Sequence, residues 1–168
     1  IGVISIPLFR RFKPETAFNL GMLVTTVLAT VGSFLLAQFL LQGDLSIFLG
    51  AFLGILVTLV AAFFTRYYAS ASGKPVRKMA EAAKRGAALN LITGIGYGLQ
   101  SPLASIVMIG LAVSIAFAVS GGALLAVVAV NIGTDLLIGY IMTADAFGPI
   151  IDNAAGIAEM SKSGRPAV

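Results

Sequence analysis

The chain has 168 residues, 58% of them hydrophobic and only 11% charged, with a formal net charge of +4. A soluble domain carries about 25% charged residues, so this composition excludes an ordinary water-exposed globule and points to an all-α, polytopic transmembrane helix bundle. Cysteine and histidine are both absent, which excludes disulfides, soft-metal sites and histidine-dependent catalytic triads. The basic balance does not argue for nucleic acid, because the positive residues lie in loops between apolar runs and not on one binding face.

Residues 1–9 form an apolar run too short to cross a bilayer, and bases follow it at 10, 11 and 13. A signal peptide has its bases before the apolar core, so the run reads as the tail of a helix that begins upstream. The chain is accordingly expected to be an internal piece of a longer protein. Thr16 is the expected N-cap of the first complete span, 17–41, which holds no charge over 25 positions. A short turn at 42–46 contains Asp44 and no base, and a second span covers about 45–65. Within it Gly50 and Gly54 form a small-xxx-small pair, readable as a close-packing face or as chance in a glycine-rich chain.

Residues 66–85 hold six bases and one acid, with Tyr67 and Tyr68 placed for a membrane interface. The next charge after Arg85 is Asp135, and the 49 residues between suit two spans with a break at Gly121–Gly122. The spacing predicts a third span over about 88–120, bent at Ser101–Pro102. A fourth covers 123–148, with a cytoplasmic extension to about 160 unless Pro149 kinks or ends it. All eleven Lys and Arg fall in 10–13, 66–85 and 162–165. Four spans put those three patches on one side, cytoplasmic by the positive-inside rule. The bases could also hold anionic lipid or phosphate, but topology alone accounts for them.

The acids are distributed differently. Four of the seven, Asp135, Asp145, Asp152 and Glu159, lie in or beyond the fourth span. The last three are spaced by seven, close to two helical turns, so on a helix they form one stripe with steps of about 10 Å. Asp135 falls near mid-membrane, where an ionisable group marks an ion path or pairs with a base. The set Asp145, Asp152, Asn153 and Glu159 offers oxygen ligands only, which suits a hard cation such as Mg²⁺. Two readings stand side by side: ligands or ion carriers, or the solvated end of a cytoplasmic helix, the latter favoured for Glu159. Asn90 and Asn131 read as interhelical hydrogen-bonding groups. No phosphate-loop or dinucleotide fingerprint occurs.

Two blocks carry a resemblance. DAFGPIIDNAAGIAEM, 145–160, resembles the DA[YF]GPxxDNAGGIAEM signature of membrane-bound, ion-translocating inorganic pyrophosphatases. The segment 67–102, from YYASASGKPV to GLQSP, is similar to a looser stretch of the same family, in the same order and spacing. The resemblance implies a homodimeric pump in membrane lipid that hydrolyses cytoplasmic pyrophosphate, as its Mg²⁺ complex, and moves H⁺ or Na⁺. It makes Asp152 a Mg²⁺ ligand and places Asp145 deeper, coupling site to channel. It assigns no catalytic base to this chain, and most of the active site is expected elsewhere. Ala155 stands where the motif usually has Gly, Ile151 where a smaller or hydroxyl residue is common, and Asp135 lies outside it. The competing readings are a secondary transporter or channel segment without hydrolysis, and a non-catalytic membrane scaffold.

Overall fold

A computed structural model of the chain describes residues 14–70 and 73–161, with backbone only at 14, 15, 144 and 147. The described residues are helical or in short turns, and no strand occurs among them. The expected upstream tail at 1–9 and the basic patches 10–13 and 162–165 lie outside the described residues. Among the described residues six helices follow in order: α1 (Pro14–Phe39), α2 (Leu45–Ala69), α3 (Lys74–Ala83), α4 (Ala87–Gln100), α5 (Leu103–Val119) and α6 (Leu124–Met160). Four stretches, Thr16–Phe39, Leu45–Ala83, Ala87–Val119 and Leu124–Met160, are long and apolar enough to cross a membrane. The fold is an all-α bundle of membrane-spanning type.

The helix ends follow local chemistry. α1 is described from Pro14 on, so Thr16, the expected cap, lies inside the helix. Along α1 the Thr25 and Thr26 hydroxyls donate to the carbonyls of Gly21 and Met22 at 2.9 and 2.8 Å, so these polar groups are satisfied inside an apolar helix. Asp44 caps α2, its carboxylate accepting from the Ser46 N–H at 2.9 Å and the Ser46 hydroxyl at 2.6 Å. Those bonds, the hydroxyl first, hold the Asp44 carboxyl below the ordinary aspartate range.

The expected break at Gly121–Gly122 is present. Both residues have positive φ, 68° and 92°, which glycine reaches without penalty. The Gly122 N–H returns to the Phe117 carbonyl at 2.8 Å and the Gly121 N–H to that of Ala118 at 3.3 Å. This double return closes the end of α5. The bend at Ser101–Pro102 is present too, separating α4 from α5. α3 ends at Ala83, so Arg85 lies beyond it. Its half-buried or buried residues, Pro75, Val76, Met79 and Ala82, fall on one side, and Lys74, Arg77, Lys78 and Glu81 are exposed.

Two compact units are distinguishable, one made of 1–29 with 137–168 and the other of 30–136. In the second, α2 packs on α5 and α6 around a core of Val57, Ala112, Ala116, Ala126 and Val130. Gly50 and Gly54 do form a contact face. A methyl group at Gly54 would land on the Val130 carbonyl oxygen and lie 2.8 Å from the Gly133 Cα, and one at Gly50 would meet the Ala126 carbonyl oxygen. Reciprocally, one at Gly133 would meet the backbone of Ala51. These contacts are backbone against backbone, so no side chain can swing aside. The Thr58 hydroxyl adds a bond to the Thr134 carbonyl at 3.2 Å. The glycines of α4 behave otherwise: nothing among the described residues lies within 4 Å of a methyl placed at Gly94, Gly96 or Gly98.

In the first unit, α1 meets the later part of α6. The Tyr140 hydroxyl donates to the Phe18 carbonyl at 2.8 Å, and the two rings lie tilted at 31° with centroids 5.0 Å apart. Leu137 beside them is fully buried.

Candidate functional site

α6 carries every acid that sequence reasoning singled out. It runs 37 residues to Met160 with Pro149 inside it, so the proline neither ends the helix nor divides the motif. Proline has no N–H to give to the carbonyl four residues before it, which here is that of Asp145. The motif therefore removes the helical donor from the backbone oxygen of the same residue whose carboxylate begins the acidic stripe.

Asp145, Asp152 and Glu159 are all exposed, as is Asn153. Their direction follows from the register. Tyr140 faces α1, and Asp145 lies five positions on, about 140° round the helix at 3.6 residues per turn. Asp152 and Glu159 drift back by about 20° each, so the three acids keep to one side, off the packed seam. The stripe expected from the spacing is therefore present, and it lies on a side of α6 that α1 leaves free.

The arrangement limits what this helix can hold. Neighbouring acids of the stripe are about 10 Å apart along the axis, whereas Mg²⁺ takes its oxygens at about 2.0–2.1 Å. No two of these carboxylates can share one ion. Asp152 and Asn153 are adjacent, about 100° apart round the helix, and point different ways. Among the described residues there is no group of three or more acids, cysteines or histidines placed to hold a metal. The oxygen donors of these residues suit a hard cation, and no one of them could supply more than part of its coordination.

Asn90 and Asn131 are exposed, and among the described residues neither side chain has a hydrogen-bond partner. Thr58 and Tyr140, by contrast, do make side-chain bonds between helices. Sequence reasoning passed over both because a threonine or tyrosine in an apolar span carries no signal of which carbonyl it will reach. Asp135 is exposed too, on the part of α6 that follows Gly133.

Comparison with known proteins places these features. The family described as inorganic H+ pyrophosphatase matches residues 5–167. The chain is 32% identical over 171 residues to a K(+)-insensitive pyrophosphate-energized proton pump 2 of Moorella thermoacetica, covering 96% of this chain and 25% of that protein. It is 34% identical to a K(+)-insensitive pyrophosphate-energized proton pump of Caldanaerobacter subterraneus, covering 88% of this chain and 23% of the relative. A putative K(+)-stimulated pyrophosphate-energized sodium pump of Clostridium tetani is 32% identical, covering 96% and 25%. The chain thus spans about a quarter of the length of these curated relatives. No solved structure matches.

Proposed function

The chain belongs to the inorganic H+ pyrophosphatase family, and from that membership we propose that it forms about a quarter of an ion pump driven by pyrophosphate hydrolysis. The observation that carries this reading is α6. Its DAFGPIIDNAAGIAEM motif lies on unbroken helix, with Asp145, Asp152 and Glu159 exposed on one side. Asp145 and Asp152 suit one wall of a site that holds a polyanion through a hard cation, its other walls coming from the rest of the protein.

The reaction is attack of water on one phosphorus of pyrophosphate. The bond from that phosphorus to the bridging oxygen breaks, and two phosphates leave with the water's protons shared between them and the solvent. When bound, Mg²⁺ neutralises the pyrophosphate oxygens and stabilises the leaving phosphate. Asp152 is the residue of this chain that would hold it. Asp145, two turns along the same helix, would pass the state of the site toward the ion path. Glu159 stays a solvated helix end. The three basic patches at 10–13, 66–85 and 162–165 would face the cytoplasm with the site, and the complete pump would act as a homodimer in lipid, moving H⁺ or Na⁺.

The test is hydrolysis of pyrophosphate in membranes carrying the complete protein, with ion uptake measured in parallel. Release of phosphate together with uptake is expected. Ion movement without pyrophosphate hydrolysis would favour a secondary transporter and overturn the reading. Asp145→Asn is expected to depress both activities, and retention of both would make Asp145 structural.

A further inference from the structure

We propose that Asp135, with Asn131 one turn before it, forms a binding point for the transported monovalent cation, on the side of α6 that faces away from α2. The inference rests on the pump reading above and adds a site outside the motif. Asp135 stands eleven residues past the start of α6 at Leu124. That is about 16 Å along the axis, close to the middle of a hydrocarbon layer about 30 Å thick. It is the one acid or base between Arg85 and Asp145.

Its direction is set by the glycine contact. Gly133 lies against the backbone of Ala51. Asp135 is two positions later and Asn131 two positions earlier, so each lies about 160° round the helix from that contact, and they are about 40° from each other. Both are exposed, and among the described residues neither side chain has a hydrogen-bond partner. The hydroxyls nearby are different. Thr134 donates to the Asn131 carbonyl at 2.6 Å, and Thr58 to the carbonyls of Gly54 and Thr134 at 3.3 and 3.2 Å. The polar groups that serve the α2–α6 contact are thus satisfied within it, and the carboxylate and amide are left over, aimed away. They stand in apolar surroundings, with Val128, Ile132, Leu136 and Ile138 exposed around them. A carboxylate set in such a surface is costly against lipid and is kept where it meets a cation or a wet path. A carboxylate and an amide carbonyl supply the oxygen donors that a proton or Na⁺ takes.

The test uses the complete protein in sealed vesicles, with phosphate release, radioactive sodium uptake and an internal pH dye read separately. Asp135→Asn is expected to lower ions moved per pyrophosphate hydrolysed at least tenfold, with Asp135→Glu restoring most of it. Asn131→Ala is expected to raise the cation concentration at half-maximal transport at least threefold. If Asp135→Asn hydrolyses too slowly for the ratio to be read, Asp135→Glu and Asn131→Ala decide. A shift in either one's cation dependence supports the site, and unshifted values in both overturn it. An Asp135→Asn pump with the wild-type ratio overturns it directly. Wild-type vesicles that neither hydrolyse nor transport would instead overturn the pump reading, and this inference with it.

Discussion

Between Ala126 and Gly133, α6 presents small residues to α2, backbone lies on backbone, and the nearby threonines bond to carbonyls. Between Asp145 and Glu159 the same helix presents three exposed acids. The first region is finished on the side that meets α2: its glycines have no room for a methyl, and the threonines there are bonded to carbonyls. The second is unfinished, with carboxylates spaced too widely to hold one ion between them. The difference teaches that exposure here has two meanings. Apolar exposure on these helices suits lipid or further helices, whereas exposed acids on one side of α6 suit water, ions or polar partners.

Substitutions can break that contrast, because the two regions should fail in different ways. The largest effect is expected at Asp152. Asp152→Ala in the complete protein should cut pyrophosphate hydrolysis by a factor on the order of 100, the scale of losing one electrostatic partner of a transition state. Its melting temperature in detergent should stay unchanged, since the side chain is exposed. Gly54→Ala should do the reverse. The added methyl meets the Val130 carbonyl and the Gly133 backbone, and overpacking of this kind costs about 1–3 kcal/mol. A lowered melting temperature would be the readout, and an unchanged one would mean that the α2–α6 contact is looser than described. Tyr140→Phe removes the bond to the Phe18 carbonyl and should cost about 1 kcal/mol in the same assay.

The smallest effect is a pH dependence at Asp44. Its folded-state carboxyl is held below the ordinary aspartate range by Ser46. The stabilisation is therefore present above the unfolded aspartate's pKa and is lost as pH falls through the lower folded value. Asp44→Asn should flatten the acid limb of the melting curve. An acid limb of unaltered slope in that variant would remove Asp44 from the account.

Much of this was legible in the residues. The charge-free runs located the long helices, Gly121–Gly122 their main turn, and Ser101–Pro102 a bend, because glycine and proline act through local backbone geometry. The seven-residue spacing of Asp145, Asp152 and Glu159 gave their shared side for the same reason. Pairing was harder to read. Gly50–xxx–Gly54 could be contact or chance until Gly133 was seen lying on Ala51, whereas nothing among the described residues lies within 4 Å of a methyl placed at Gly94, Gly96 or Gly98. Pro149 was open between kinking α6 and ending it, since the cost of one lost helical bond depends on what supports the surrounding turns. How a metal site would be completed around Asp152 was not legible, because no group of three or more acids, cysteines or histidines placed to hold a metal lies among the described residues.

The central claim, that α6 brings a metal-holding carboxylate to a pyrophosphate site, is tested most directly by a magnesium titration of phosphate release from the complete protein. Wild type and Asp152→Asn would be compared at fixed pyrophosphate. The account predicts that Asp152→Asn stays deeply depressed even at saturating Mg²⁺, because the lost oxygen cannot be replaced by more ion. Near-normal turnover at saturating Mg²⁺ would contradict it.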